Sequence, residues 1–426
     1  MNKRLCIVLM LGFSSGLPLA LLSGALQAWF SDAGLSLMTV GLLSLIGLPH
    51  SYRFLWAPLL DRYTLFSMGK RRSWMLTMQV LLWMGFNAMA WFTPQTSPGL
   101  MAALGAVLAF FSATQDIAVD AHRTEYLPTD EQALGASVAV FGYRVALLVA
   151  GGFSLVIAQH WGWAFAYRLM GFLMLFGVIA VYFSPEPSAP ARAESERPGL
   201  LQSFIDPAKA LFSRQGIIPL MLFIIFYKVG ESFTATTSGI VIPFLIQGIG
   251  FSLETIGYVN KVVGVGAAIV GGLSAGVLLM RWSLYRALLV FGLLQAISSL
   301  FFVALACVGK NVPLFCVAVI CENFAAGMSS VALVTLFMRL VDRRFTATQY
   351  SLLIAFSSLP RILSGPIAAL GQARLGWIGL YEMSFLLALV FVPLLLLVSH
   401  PKKIGRRDDG RITISDVLRM KKFEQT

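Results

Sequence analysis

Runs of about twenty apolar residues recur along nearly the whole of this chain, and that is the length a helix needs to cross a bilayer. With 58% of residues hydrophobic and only 12% charged, no soluble domain accounts for the composition. The sequence predicts an all-α polytopic membrane protein of twelve transmembrane helices. The runs lie at about 5–30, 38–60, 73–93, 99–121, 132–158, 164–183, 216–246, 253–279, 285–307, 313–340, 350–370 and 380–398. The first follows Lys3 and Arg4 but continues to Phe30, too long for the apolar core of a signal peptide, so it is expected to stay as a span. Nothing suggests lipidation.

A net charge of +12 would suit nucleic acid, but its placement argues against that partner. The basic residues cluster in alternate loops, as orientation in a bilayer requires. Of the 32 Lys and Arg, only Arg168, Lys310 and Arg374 fall in loops on the outer side, which puts both termini in the cytoplasm. Cys6, Cys307, Cys316 and Cys321 sit in apolar segments without metal-ligand spacing and are expected to be small core residues.

Ser184-Pro185-Glu186-Pro187-Ser188-Ala189-Pro190 opens a polar stretch that divides the chain. The expected organisation is a six-helix half at 1–183, a cytoplasmic linker at 184–215, a second six-helix half at 216–398 and a basic tail at 399–426. Within the linker, Leu200 to Phe212 suits an amphipathic surface helix or a plain connection. The halves echo each other. Gly34-Leu35-Ser36-Leu37-Met38-Thr39-Val40-Gly41 and Gly250-Phe251-Ser252-Leu253-Glu254-Thr255-Ile256-Gly257 share five of eight residues at an offset of 216. Arg144 and Arg361 match at 217, and the turns Gly162-Trp163 and Gly376-Trp377 follow them. Two six-helix halves in parallel repeat resemble the major facilitator superfamily, which implies a substrate site between the halves near the midplane.

Charged residues inside the spans carry the functional reading. Ser112, Gln115, Asp116 and Asp120 recur every three or four residues, so a helix gathers them into one polar stripe. A carboxylate deep in a spanning helix costs about 2.5–3.5 kcal/mol on insertion scales, so it normally faces other helices or water. Asp116 is expected to face the interior; Asp120, beside His122 and Arg123, suits the interior or the headgroups. Arg53, Arg144, Lys228, Lys261 and Arg361 are the cations within spans, and Glu231 and Glu322 complete the acids. Depth suggests that Arg144 reaches Asp116 and that Arg361 neutralises Glu322. Lys228 and Glu231, three apart, share a face.

An acid that gains or loses a cationic partner changes its proton affinity, which makes Asp116, Asp120, Glu231 and Glu322 the proton-coupling candidates. Gln27, Gln115, Tyr143, Arg144, Tyr227, Lys228, Asn260, Lys261 and Arg361 are the substrate-binding candidates, with Lys228 and Lys261 preferred for an anion. Phe13, Trp29, Tyr52 and Tyr258 are further aromatic faces on which a sugar can lie, although Trp29 is read as an interface anchor. No phosphate-binding Gly-rich loop, catalytic cluster or metal site is visible, so the expectation is an ion-gradient carrier without cofactor and not an enzyme. Asp61-Arg62 followed by Gly69-Lys70-Arg71-Arg72 resembles the superfamily's Asp-Arg…Gly-Arg-Arg signature, which makes Asp61, Arg62, Arg71 and Arg72 a cytoplasmic gate.

Longer stretches carry a narrower resemblance. They include Ser15-Gly16-Leu17-Pro18-Leu19-Ala20, Phe54-Leu55-Trp56-Ala57-Pro58-Leu59-Leu60-Asp61-Arg62-Tyr63, Ser112-Ala113-Thr114-Gln115-Asp116-Ile117, Gly142-Tyr143-Arg144, Tyr227-Lys228-Val229-Gly230-Glu231, Val259-Asn260-Lys261, Glu322-Asn323 and Ala347-Thr348-Gln349. Together they resemble the AmpG-type muropeptide permeases of the Gram-negative inner membrane. That resemblance implies proton-coupled import of N-acetylglucosaminyl-1,6-anhydro-N-acetylmuramyl peptides for cell-wall recycling, a route that also feeds β-lactamase induction. The implied partners are protons, an anionic glycopeptide and the bilayer, with a monomeric protein. Some family members carry extra membrane helices after the twelfth, whereas this chain ends in a basic tail from Lys402 to Thr426. The alternative is a related importer of a siderophore or an acyl-CoA-like anion, because neighbouring families share the Gly-Leu-Pro and Phe-Leu-Trp-Ala-Pro stretches. A membrane enzyme or sensor is disfavoured by the lack of an extramembrane domain.

Overall fold

A computed structural model of the chain describes residues 2–187, 199–214, 216–235, 240–399 and 418, and the regular structure among these residues is helical. Eight described helices are long and apolar enough to cross a membrane: Lys3–Asp32, Pro98–Tyr126, Gln132–Trp161, Trp163–Phe183, Ile217–Thr234, Leu284–Val308, Val312–Leu340 and Leu370–Ser399. The other four expected runs are helical but interrupted or more polar. The second is broken into Leu37–Leu42, Leu48–Tyr52 and Ala57–Arg62, joined by 3-10 turns. Pro49 and Pro58 sit in the first turns of the later pieces. Proline has no N–H to give to a preceding turn, so it opens a helix more readily than it continues one. The third, Lys70–Met89, begins with three cations and carries Gln79 and Asn87. The eighth passes from Leu253–Tyr258 through a wide π-turn to Val265–Leu279. The eleventh opens the long segment Thr346–Leu389, whose helical course breaks at Gly376 (φ 70°).

The described part of the polar middle stretch contains a helix, Leu200–Phe212, rather than a plain connection. Residues 188–198 and the tail from 400 onward, apart from Leu418, lie outside the described residues. Two compact units emerge from the contacts. One comprises Met1–Thr129, Val138–Ala208 and Val341–Leu352; the other comprises Asp130–Ser137, Lys209–Leu340 and Leu353–Thr426.

Within the first unit, Lys3–Ala20 and Gln132–Leu148 cross with their backbones nearly touching. A Cβ on Gly12 would lie 2.5 Å from the Ala139 carbonyl oxygen, and one on Gly16 would lie 2.6 Å from that of Tyr143. Small residues permit such close packing where lipid leaves dispersion and hydrogen bonding as the main glue. A π-turn at Leu21–Ala25 widens the first helix, and the Tyr167 hydroxyl donates to the Leu21 carbonyl at 3.0 Å. Trp29 does not act as an interface anchor. It is buried, stacked on Trp163 at 5.8 Å and tilted against Tyr167 at 4.9 Å, because its helix turns that face toward Trp163–Leu173.

The second unit repeats the device: a Cβ on Gly271 or Gly327 would run into the Phe324 or Ala268 carbonyl. Its core joins Phe244, Phe302 and Tyr381. The cysteines are not core residues as expected. Cys307 is exposed and the other three are half-buried, since their faces of the helices turn outward.

The sequence echo has a structural counterpart. Ser36 Oγ accepts from Thr39 N at 3.2 Å, and Ser252 Oγ accepts from Thr255 N at 3.2 Å, each capping a helix start. Each cap follows a glycine in the left-handed region, Gly34 at φ 78° and Gly250 at φ 83°, where a side chain would be strained.

Candidate functional site

The polar stripe of Pro98–Tyr126 is occupied in the first unit by partners from the broken second run. Arg53 Nη2 donates to Asp120 Oδ2 at 2.9 Å, and Arg123 Nη2 donates to Asp120 Oδ1 at 2.8 Å and to the Tyr350 hydroxyl at 2.8 Å. Asp116 is held more loosely, 3.9 Å from Arg53 Nη1 and 3.8 Å from His50 Nε2. Ser112 hydrogen-bonds His50, and Gln115 donates to Ser14. The expected pairing of Asp116 with Arg144 is corrected: the partners come from Leu48–Leu55, whose breaks swing His50 and Arg53 toward the stripe. Arg144 and Tyr143 are half-buried on Gln132–Leu148, and Gln27 is half-buried on Leu26–Asp32. Asp120 sits inside this network.

The signature loop builds a second cluster in the same unit. Arg71 bridges Asp61 at 2.8 Å and Glu125 at 2.6 Å, with side-chain exposures of 1%, 7% and 5% respectively. Its Nη1 donates to the Leu60 carbonyl. Asp61 also accepts from the backbone N–H groups of Ala347 and Thr348 at 3.1 and 2.9 Å, at the start of Thr346–Leu389, where a helix presents unpaired donors and positive potential. Glu186 caps Lys70–Met89 through the N–H groups of Arg71 and Arg72 at 2.8 and 3.1 Å. Arg72 donates to the carbonyls of Val181 and Tyr182, and Arg62 to Ser203 Oγ. The sequence reading missed Glu125, Glu186 and Thr348. The unpaired excess of cations in the Gly-Lys-Arg-Arg run was the one signal that acids must approach it.

The second unit holds a cleft of about 250 Å³ lined by Lys228, Glu231, Ser330, Ser357, Ser358 and Arg361 among others. Lys228 Nζ pairs with Glu231 Oε2, as the three-residue spacing predicts, and lies 3.4 Å from Ser330 Oγ. Arg361 is exposed in this cleft and makes no ion pair among the described residues.

The predicted Glu322–Arg361 pair is therefore corrected. Glu322 is buried against Leu284–Val308, where Gln295 Nε2 donates to it at 2.7 Å and Ser298 Oγ at 2.9 Å. No cation lies within ion-pair distance of Glu322 among the described residues. Matching depth had placed the two residues at one level, but the azimuth of Glu322 on Val312–Leu340 turns it toward a different neighbour.

Tyr227 is buried in an aromatic core with Phe223 and Phe391. Both amide atoms of Asn260, on the π-turn Val259–Gly264, are buried without a hydrogen-bond partner among the described residues. Lys261 lies on the same turn, and its side chain is outside the described residues.

Buried charges, interrupted helices and a duplicated helical plan define a class of polytopic carrier, and comparison with known proteins gives that class its name. The Major Facilitator Superfamily profile matches residues 5–365. The chain is 40% identical over 413 residues to the anhydromuropeptide permease of Escherichia coli strain K12, covering 97% of this chain and 83% of that protein. A "Putative transporter AmpG 3" of Rickettsia prowazekii is 28% identical, with coverage of 95% and 100%. Among solved structures, FucP, a major facilitator transporter, superimposes with a TM-score of 0.67 at 14% identity, covering 92% of this chain and 96% of that one. The proton:xylose symporter XylE superimposes at 0.63 with 12% identity, covering 92% and 94%. The chain belongs to the major facilitator superfamily and, within it, to the AmpG-type permeases.

Proposed function

We propose that this chain imports 1,6-anhydromuropeptides by proton symport across a bacterial inner membrane, acting as a monomer with both termini in the cytoplasm. The 40% identity to an anhydromuropeptide permease over 97% of the chain carries this reading. The residue chemistry supports it. The cargo is a disaccharide bearing peptide carboxylates, which suits the cationic cleft of Lys228 and Arg361 and the unpartnered amide of Asn260. Proton coupling falls to the set Asp116, Asp120, Glu231 and Glu322, because ionised carboxylates at bilayer depth persist only while something compensates them. Asp61, Arg62, Arg71 and Arg72 act as the cytoplasmic gate, whose bonds to the start of Thr346–Leu389 must part for opening.

The test is uptake of labelled anhydromuropeptide by the purified chain in liposomes with an acid exterior. Accumulation is expected, with collapse on adding a protonophore and competition by unlabelled anhydromuropeptide. Absence of uptake, or competition by a ferric chelate, would overturn the reading in favour of a related importer.

A further inference from the structure

The cleft in the second unit presents an uneven set of charges. Lys228 is already matched by Glu231 on its own helix, whereas Arg361, across the cleft on Thr346–Leu389, makes no ion pair among the described residues. Three hydroxyls, those of Ser330, Ser357 and Ser358, line the same space. About 250 Å³ is below the range of a cavity that swallows a whole drug-sized ligand, so it suits one end of a larger molecule. Ser357 and Ser358 donate to the Ile354 carbonyl, so the recognising groups are the two cations, which is the chemistry that holds a carboxylate.

We propose that this cleft is an exchange site, in which a carboxylate of the cargo docks on Arg361 and Lys228 and displaces Glu231, and Glu231 takes up the transported proton. The inference rests on the muropeptide reading above and deepens it by assigning the step that links cargo to proton.

The charge balance works as follows. In the empty cleft the Lys228 ammonium and Glu231 carboxylate cancel. The incoming carboxylate takes the ammonium as its counterion, which leaves Glu231 ionised beside a second anion. With Lys228 and Arg361 both turned to the cargo, Glu231 has lost its contacting cation and lies beside a second anion, so it accepts one proton from water on the side to which the cleft is open. One negative charge and one proton have entered, and the net charge of the cleft is unchanged. That neutrality matters because carrying uncompensated charge through the bilayer interior is what the membrane penalises. Arg361 supplies the standing attraction that brings the carboxylate to the cleft mouth.

The groups around Glu231 favour this exchange. Lys228 and Tyr227 lie on its own helix, Glu322 lies on Val312–Leu340, and Arg361 lines the cleft from Thr346–Leu389, where the docked cargo carboxylate engages it and so leaves Glu231 without a cation.

The test uses the full chain in liposomes with labelled anhydromuropeptide, scored for proton-driven accumulation and for counterflow, the exchange of labelled for unlabelled cargo without a gradient. Glu231→Gln imitates the protonated acid, so at least a tenfold loss of accumulation is expected while counterflow stays within twofold of wild type. Lys228→Ala and Arg361→Ala should each weaken cargo affinity in counterflow about tenfold, with Arg361→Lys restoring part of the loss. Accumulation retained by Glu231→Gln, loss of both activities in that variant, or unchanged affinity in the Lys228 and Arg361 variants would each overturn the proposal. Failure of the wild-type chain to take up the probe would overturn the muropeptide reading and this inference with it, whereas wild-type uptake beside a fully accumulating Glu231→Gln protein overturns this inference alone.

Discussion

The first unit sets cations against its buried acids, whereas the second pairs Glu231 with Lys228 but leaves the more deeply buried Glu322 to neutral donors. Asp120 is held between Arg53 and Arg123, and Asp61 and Glu125 between them engage Arg71. In the second unit Glu322 meets a neutral amide and a hydroxyl, while Arg361 stands in a cleft without a carboxylate partner among the described residues. The two units share a helix-start device in the Ser36 and Ser252 caps, yet their charges are arranged differently. Closed networks fix geometry. Open ones are able to respond to a ligand or a proton.

That contrast fixes an order of effects in thermal unfolding of purified variants. Arg71→Ala should cost most, about 3–5 kcal/mol, because it strands two buried carboxylates. Asp120→Asn follows at about 1.5–3 kcal/mol, the range for hydrogen bonds to a charged group; Asp116→Asn should cost less, since its cations stand 3.8 Å or more away. Glu322→Gln should cost about 1 kcal/mol or less, because a Gln carbonyl still accepts from neutral donors. Arg361→Ala should shift stability by no more than about 0.5 kcal/mol, with its effect confined to cargo affinity. A Glu322→Gln loss equal to that of Asp120→Asn would break the comparison by showing that a cation compensates Glu322. A large Arg361→Ala loss would do the same for the cleft.

Much of this was legible in the sequence because bilayer thickness fixes helix length and helical spacing fixes faces. The run lengths marked the spans, and the spacing of Lys228 and Glu231 gave their pairing. The stripe of Ser112, Gln115, Asp116 and Asp120 proved to be polar and interior. Its partners were not legible. His50 and Arg53 reach it because Pro49 and Pro58 break the second run, and where a broken helix points depends on what it packs against. Pairings inferred from depth failed for the same reason: height along a helix is readable, but azimuth is set by neighbours such as Gln295 and Ser298. Glu186 was invisible as a cap, since its target, the start of Lys70–Met89, lies over a hundred residues earlier in the chain.

The hydroxyl of Tyr167, resting on the Leu21 carbonyl, limits how this unit can deform. The Leu21 carbonyl also accepts from the Leu26 N–H, so parting the two would strand the buried Tyr167 hydroxyl, at a cost of about 1–3 kcal/mol. The wide turn at Leu21–Ala25 looks like a flexible joint, yet it is pinned to the helix Trp163–Leu173. Whatever bending transport demands of the first span must therefore be shared by that helix, and the two swing together as one stave.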